Sequence, residues 1–457
     1  MSAMKRNPMA QRNTMLKPKR LISFLANGTA AAAILVVCGC GIQQQQTTPA
    51  TVQGLALKGS IHGGQQPVSG SVIQLYAAGN TGYGSAATPL LTTSVQSLQD
   101  GSFSITNDYV CPTASTPVYI TATGGNPGLS AGTNNSALAL MAALGPCGNL
   151  TASTFISVNE VTTVAAVWSL APFMSSYASV GSSPSNTTGL ANAFAAVNKV
   201  VATSTGSLPG PALAVGASLP IAEIDTLANI LAACVNSGGG TAGDNNACGT
   251  LFSAATPAGG AAPLETIGAA LNIARNPAAN VGALFTLNAA AAPFQPSLSS
   301  APANWLIGIT YTGGGLSSPN ALAIDGNGSV WVTNSNSVTK LDNSGSALSP
   351  SSGYTTGLSA PSGIAVDPAG NIWVTNKGSD SVSKLGGSTG SLLANYTGGG
   401  LSQPTSLLFD ASGNVWITNF GNNSVTELNS SGSALSTSGY SGAGISQPTA
   451  IAVNPHQ

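Results

Sequence analysis

The chain has 457 residues, of which only 25 are charged, 12 basic and 13 acidic, against about a quarter of the residues in ordinary soluble domains. That composition excludes the charged surface of a typical cytosolic enzyme, and with 43% hydrophobic residues it also excludes the low-hydrophobicity signature of wholesale disorder. Six of the basic residues fall in the first twenty positions. The remainder carries six basic against thirteen acidic residues and offers no cationic stripe to nucleic acid.

The basic start runs into an apolar stretch from Leu21 to Val37, followed at once by Cys38-Gly39-Cys40-Gly41. This is the order of a secretory signal: cationic segment, short apolar segment, small residues at the cut. Asn27, Gly28 and Thr29 interrupt the stretch and make it a poor membrane span. The run Val37-Cys38-Gly39-Cys40 resembles a bacterial lipobox, with Cys40 the expected lipidated residue and cleavage before Cys38 the alternative. The resemblance implies an exported protein held on a bacterial membrane through an N-terminal lipid, facing the periplasm or the exterior; plain secretion is the other reading. Residues 1–39 are then the signal peptide and 40–52 a polar tether.

Four further cysteines suit an oxidising compartment. Cys234 and Cys248 bracket a Gly- and Asn-rich run, and a bridge there closes a loop of about 15 residues, worth roughly 3 kcal/mol by chain entropy. Cys111 and Cys147 are the second candidate pair. Neither the CxxC nor the HxxxH spacing of a zinc site occurs.

Residues 53–150 predict strands. Leu55 to Ile61 and Gly70 to Tyr76 alternate around Gly63-Gly64 and Pro67-Val68; Asp100 to Ile105 and Pro117 to Ala122 continue the pattern. The order of these residues resembles the carboxypeptidase-regulatory and collagen-adhesin B-type β-sandwiches, which implies a spacer or adhesive module. From 151 to 300 the period changes. Val161, Val164, Val167, Trp168 and Leu170, then Leu190, Phe194, Val197 and Val201, then Ile221, Ile224, Leu227, Ile230 and Leu231 recur at helical spacing. A further helix is predicted from Leu264 to Ala274, before Asn276-Pro277.

Residues 301–457 repeat. Pro319, Pro361, Pro404 and Pro448 lie 42, 43 and 44 residues apart, and Trp331, Trp373 and Trp416 lie 42 and 43 apart. Tyr311, Tyr354, Tyr396 and Tyr440 keep the same beat. A period in the forties carrying several short strands marks a propeller blade. Asp325 to Gly328, Asp367 to Gly370 and Asp410 to Gly413 are expected as hairpin turns, the glycine supplying positive φ and the Asp bonding the turn's own backbone. Calcium at these turns is the competing reading, though such a loop wants more carboxylates. The expected fold is therefore multidomain: a β-sandwich, a mainly α-helical region, and an all-β partial β-propeller of three full blades plus the start of a fourth. An array of that number leaves exposed edges, so either a longer protein or self-association to close the ring is expected.

The repeat resembles NHL repeats and the related streptogramin lyase propellers. Those lyases use a histidine base and a bound magnesium ion, but the two histidines here, His62 and His456, lie outside the whole repeats. A gluconolactonase-like Glu-Asn-Asp metal set is not assembled either. Lyase or hydrolase activity is therefore disfavoured, no metal or cofactor is expected, and a non-catalytic binding or scaffold surface is the expected function. Asn334, Asn376 and Asn419 are candidates for a ligand platform, with hydrogen bonding between blades as the alternative. Trp331, Trp373 and Trp416 are expected as blade anchors. The partners expected are the membrane, through the lipid, and a cell-envelope polymer, carbohydrate or protein.

Overall fold

The computed structural model describes residues 50–289 and 292–453. Cys38 and Cys40, the signal segment and His456 lie outside these residues.

Strand β1 (Leu57–Gly63) alternates buried and more exposed positions, as a half-buried strand must. It pairs antiparallel with β3 (Ser102–Ile105) and parallel with β6 (Phe155–Val158). The facing sheet is built on β2 (Val72–Ala77), which pairs with β4 (Pro117–Thr123), which pairs in turn with β5 (Ala139–Pro146). Leu57, Ile61, Phe103, Ile105 and Ile156 from one sheet meet Ile73, Leu75, Val118, Ile120 and Leu140 from the other in a single core. A disulfide joins Cys111 to Cys147 beside it.

Strand β5 reads ALMAALGP, with no polar alternation, because both of its faces are covered. Leu140 and Ala142 belong to the sandwich core, while Ala139, Met141 and Ala143 face the helices. Its outer edge has no strand partner among the described residues. Helix hydroxyls serve instead: Met141 N donates to Thr163 Oγ1 and Ala139 N to Thr266 Oγ1, both at 3.0 Å. At these two positions the edge amides are satisfied and no longer serve as a pairing template.

Helix α1 (Glu160–Leu170) lies over that face and is buried along almost its whole length. It opens on a capping box, in which Thr162 N donates to Asn159 Oδ1 and Asn159 N to Thr162 Oγ1, each at 2.9 Å. Around it stand α2 (Thr187–Val200), α3 (Ile221–Val235), α4 (Ala247–Ala254), α5 (Thr266–Arg275) and the short α6 (Val281–Phe285). The stripe residues Val164, Leu190, Phe194, Ile224, Leu227 and Ile230 share one core with the outer face of β5. Strand β6 lies beyond residue 150 yet completes the first sheet, so the sandwich and the helices meet without an intervening linker. Helix α4 follows directly on a Gly- and Asn-rich loop and is held to α3 by the Cys234–Cys248 disulfide.

The repeats form three consecutive antiparallel sheets. The first contains β7 (Ala321–Ile324), β8 (Val330–Thr333) and β9 (Val338–Leu341), with Tyr354 bridging Val338 at its outer edge. The second contains β10 (Pro361–Val366), β11 (Ile372–Asn376), β12 (Ser381–Leu385) and β13 (Leu392–Tyr396). The third contains β14 (Pro404–Phe409), β15 (Val415–Asn419), β16 (Ser424–Leu428) and β17 (Tyr440–Ser441). Trp331, Ile364, Ile372 and Val374 pack between the first and second sheets, and Trp373, Leu407, Val415 and Ile417 between the second and third. Among the described residues these sheets do not close into a ring. Ala217–Ser218 pairs with Thr310–Tyr311 and ties the helices to the first repeat.

Four carboxyls of the helical part are pushed upward by burial: Glu160 to about 8, Glu265 to about 7, Asp225 to about 6, and Glu223 as well. Glu160 is wholly buried and accepts only from Gly64 N and its own helix end, too little to offset desolvation. The folded state thus holds protons that the unfolded chain has released. The stability involved is fully present below the unfolded values near 4 and is lost as pH rises through about 6 to 8. Urea midpoints should fall between about pH 5 and about pH 9, and Glu160→Gln should flatten that decline; a midpoint that rises over this interval would contradict the burial assignment.

Candidate functional site

The repeats carry the residues singled out by the sequence, and their geometry starts at the turn. Asp325 N donates to Ser329 O and Gly328 N to Asp325 O, both at 2.9 Å, so three residues close the hairpin. Gly328, Gly370 and Gly413 take φ of 78°, 83° and 80°, a region that side chains with a Cβ avoid. The Asp side chain then does two things. One oxygen accepts turn amides: Asp325 Oδ1 takes Asn327 N and Ser329 N at 2.9 Å. The other reaches the tryptophan six residues on, with Trp331, Trp373 and Trp416 Nε1 donating to Asp325, Asp367 and Asp410 Oδ2 at 2.9, 3.1 and 3.0 Å.

A third group completes this arrangement in two repeats. Lys340 lies opposite Trp331 in the strand register, and Lys384 opposite Trp373. Their ammonium groups stand 4.7 and 5.0 Å from the ring centroids and 3.7 and 3.0 Å from Asp325 and Asp367. Burial opposes ionisation of Asp325 and Asp367, but the tryptophan, backbone and lysine contacts outweigh it and hold both carboxyls below their ordinary value. Tyr354 and Tyr396 stack on the tryptophans at 5.8 and 5.0 Å. In the third repeat Glu427 takes the lysine position. It accepts from Asn414 Nδ2 at 3.2 Å and from Tyr440 Oη at 2.8 Å, so an acid is held there by neutral donors.

Asn334, Asn376 and Asn419 are each at most 1% exposed. Each Oδ1 accepts a loop amide, from Ser317, Ser359 and Ser402 at 3.2, 3.2 and 3.3 Å. Each Nδ2 donates to two hydroxyls of the next strand: Ser337 and Thr339, Ser381 and Ser383, Ser424 and Thr426, all between 2.9 and 3.2 Å. These amides fix the strand-to-strand corner inside each sheet and present nothing to a ligand. The signal was present in the Ser-Val-Thr/Ser run that follows each Asn, since its hydroxyls share one face of the strand. Contacts between neighbouring repeats come instead from Thr333 Oγ1 to Ser362 O, Ser362 Oγ to Pro404 O and Thr405 Oγ1 to Pro448 O, at 3.0, 2.8 and 2.9 Å.

Asp342 folds over its own turn through Ser344 and Ser346, and Asp380 accepts from Gln403 N. Among the described residues no group of three His, Cys, Asp or Glu side chains is placed to hold a metal ion. His62 lies on β1 in the sandwich, outside the repeats.

No protein-family model and no curated protein matches the chain. Solved structures similar to part of it include virginiamycin B lyase from Staphylococcus aureus with quinupristin, at 22% identity over 28% of this chain and 44% of that one, TM-score 0.24. A gluconolactonase from Xanthomonas campestris is similar at 22% identity over 28% and 48%, TM-score 0.23. Hydrazine synthase of Kuenenia stuttgartiensis is similar at 20% identity over 29% and 39%, TM-score 0.23. The chain spans less than half the length of each. The chemistry of the repeats is therefore read from their own residues.

Asp367→Ala strips a buried indole N–H and a largely buried ammonium of their shared acceptor. It should cost about 2–4 kcal/mol in urea unfolding, and Asp367→Asn, which keeps an acceptor, should cost less. Equal losses for the two would show that the carboxylate does not organise the repeat.

Proposed function

We propose that this chain is an exported protein of the bacterial cell envelope, anchored through lipid on Cys40, whose repeats are propeller blades serving as a non-catalytic binding or scaffold surface. One observation carries the reading: the polar residues that recur from repeat to repeat are bonded inside the sheets, each Asp to its turn amides and its Trp, and each Asn to a loop amide and the Ser or Thr hydroxyls of the next strand. Catalysis on a repeat platform needs acids, bases or ligands directed at a substrate, and these side chains are directed inward. What varies between repeats is the loops, which is where a binding surface draws its specificity.

Two disulfides suit an oxidising compartment. No helix of the described residues is long and apolar enough to cross a membrane, so attachment in this reading falls to the N-terminal lipid. Two or more acyl chains on one cysteine give stable anchoring. The surface expected to be served is a neutral envelope polymer or protein, since the repeats display little charge.

Incubating the purified mature chain with a streptogramin B depsipeptide should leave the ring intact by mass spectrometry, with or without magnesium. Linearisation abolished by a chelator would overturn the non-catalytic reading. In cells, Cys40→Ala should move the protein from the detergent phase to the aqueous phase; retention in detergent would overturn the lipid anchor.

A further inference from the structure

Away from the repeats, a cleft of about 660 Å³ opens between β1, β6, the loop 204–208 and the start of α3. That volume falls within the roughly 300–1,000 Å³ of small-molecule sites. Its walls are tied together before any ligand arrives. Ser157 N donates to Thr203 O at 2.8 Å, Asn159 Nδ2 to Gly206 O at 3.0 Å, and Gln65 Nε2 to Pro293 O at 3.2 Å.

Asp225 stands in this cleft, on the second turn of α3. It is 6% exposed, and its carboxylate has neither a hydrogen-bond donor nor a cation among the described residues. Its carboxylate opens on the cleft, where partial burial pushes it up to about 6, so holding a charge there costs stability. Every buried Asp of the repeats, by contrast, has its donors. The remaining lining supplies hydroxyls from Ser60, Ser157 and Ser207, the imidazole of His62, and the rings of Phe155 and Phe294. Phe155 is 45% exposed, at the mouth. No Lys or Arg of the described residues lines the cleft, which leaves an anionic ligand without a counter-charge. A lone ammonium would engage Asp225 but would leave the hydroxyls and rings unused.

We propose that this cleft binds an uncharged, hydroxyl-rich ligand of the saccharide class, with Asp225 accepting hydrogen bonds from its hydroxyls, His62 and the serines adding polar contacts, and Phe155 offering a face for the sugar ring. The ligand supplies the donors that the protein withholds from Asp225. The site stands whether or not the repeats close a propeller, because it is built wholly from the sandwich and the helices.

The test uses the mature full-length chain with maltotriose and chitotriose as probes, and putrescine and inorganic phosphate as controls, followed by calorimetry. At least one trisaccharide should bind with one-to-one stoichiometry at concentrations up to about 10 mM. Asp225→Asn and Phe155→Ala should each weaken that binding by about tenfold or more. Asp225→Asn should also raise the unfolding temperature at about pH 8, since it removes a charge that desolvation disfavours in the folded state. Phe155→Ala, at an exposed position, keeps the test decisive if the Asp225 variant misfolds. Failure of both trisaccharides to bind, binding of putrescine or phosphate alone, unchanged affinity in the variants, or a lower unfolding temperature for Asp225→Asn would each overturn the proposal.

Discussion

The chain buries many Ser, Thr and Asn side chains, and each buried donor or acceptor needs a partner or costs about 1–3 kcal/mol. The repeats meet this constraint with short side chains. The Asp carboxylate collects turn amides and an indole N–H; the Asn amide joins a loop to two strand hydroxyls; Thr333, Ser362 and Thr405 pass hydrogen bonds from one sheet to the next. Because each bond recurs at the same position, every sheet is held alike, and the tryptophan is oriented at both its nitrogen and its ring face. The tyrosine stacks lie within each sheet, while across sheets Trp373 meets Phe409 edge-on and aliphatic residues fill the rest.

The same constraint explains how the sandwich and helices join. Strand β5 is apolar on both faces, so it can sit only between two layers, and its unpaired edge would expose backbone donors. Thr163 of α1 and Thr266 of α5 supply acceptors to that edge. The helices are thus placed by two hydroxyls as well as by the apolar stripe, and β6, returning parallel beside β1, carries the chain from sheet to helix at Asn159.

Period was the legible part. The 42-to-44-residue beat and the three-to-four stripes depend on local spacing, which the sequence displays directly, and the three repeat sheets and helices α1, α2, α3 and α5 lie where that spacing puts them. Direction was not legible. Nothing local says whether Asn334 faces solvent or Ser337 and Thr339, and the platform reading of these amides gives way to a buried corner. Lys340 and Lys384 read as scattered basic residues until the strand register sets each one over a tryptophan. The apolar run of β5 gives no period to distinguish strand from helix, and α4 begins too soon after a Gly-Asn loop to show a stripe. Asp225 is one acid in a helix opening; its isolation depends on residues from several separate segments.

Carboxyl groups divide the molecule in a way that bears on where function resides. In the repeats Asp325, Asp342, Asp367 and Asp410 are all held below their ordinary value by donors that outweigh burial. In the helical part Glu160, Glu223, Asp225 and Glu265 are all raised, each with desolvation as the leading cause. The chain therefore has the means to satisfy a buried acid and uses it repeatedly in one region. Glu265 still caps α5 by accepting from Gly268 N, and Glu160 accepts from Gly64 N, so those two raised acids retain a structural use. Glu223 and Asp225 have no such partner among the described residues, and of the four only Asp225 lines the cleft. Local departures from an otherwise consistent rule concentrate where a protein gives up stability for another purpose. That contrast separates the acids that hold the repeats together from the one acid that faces the cleft between sandwich and helices.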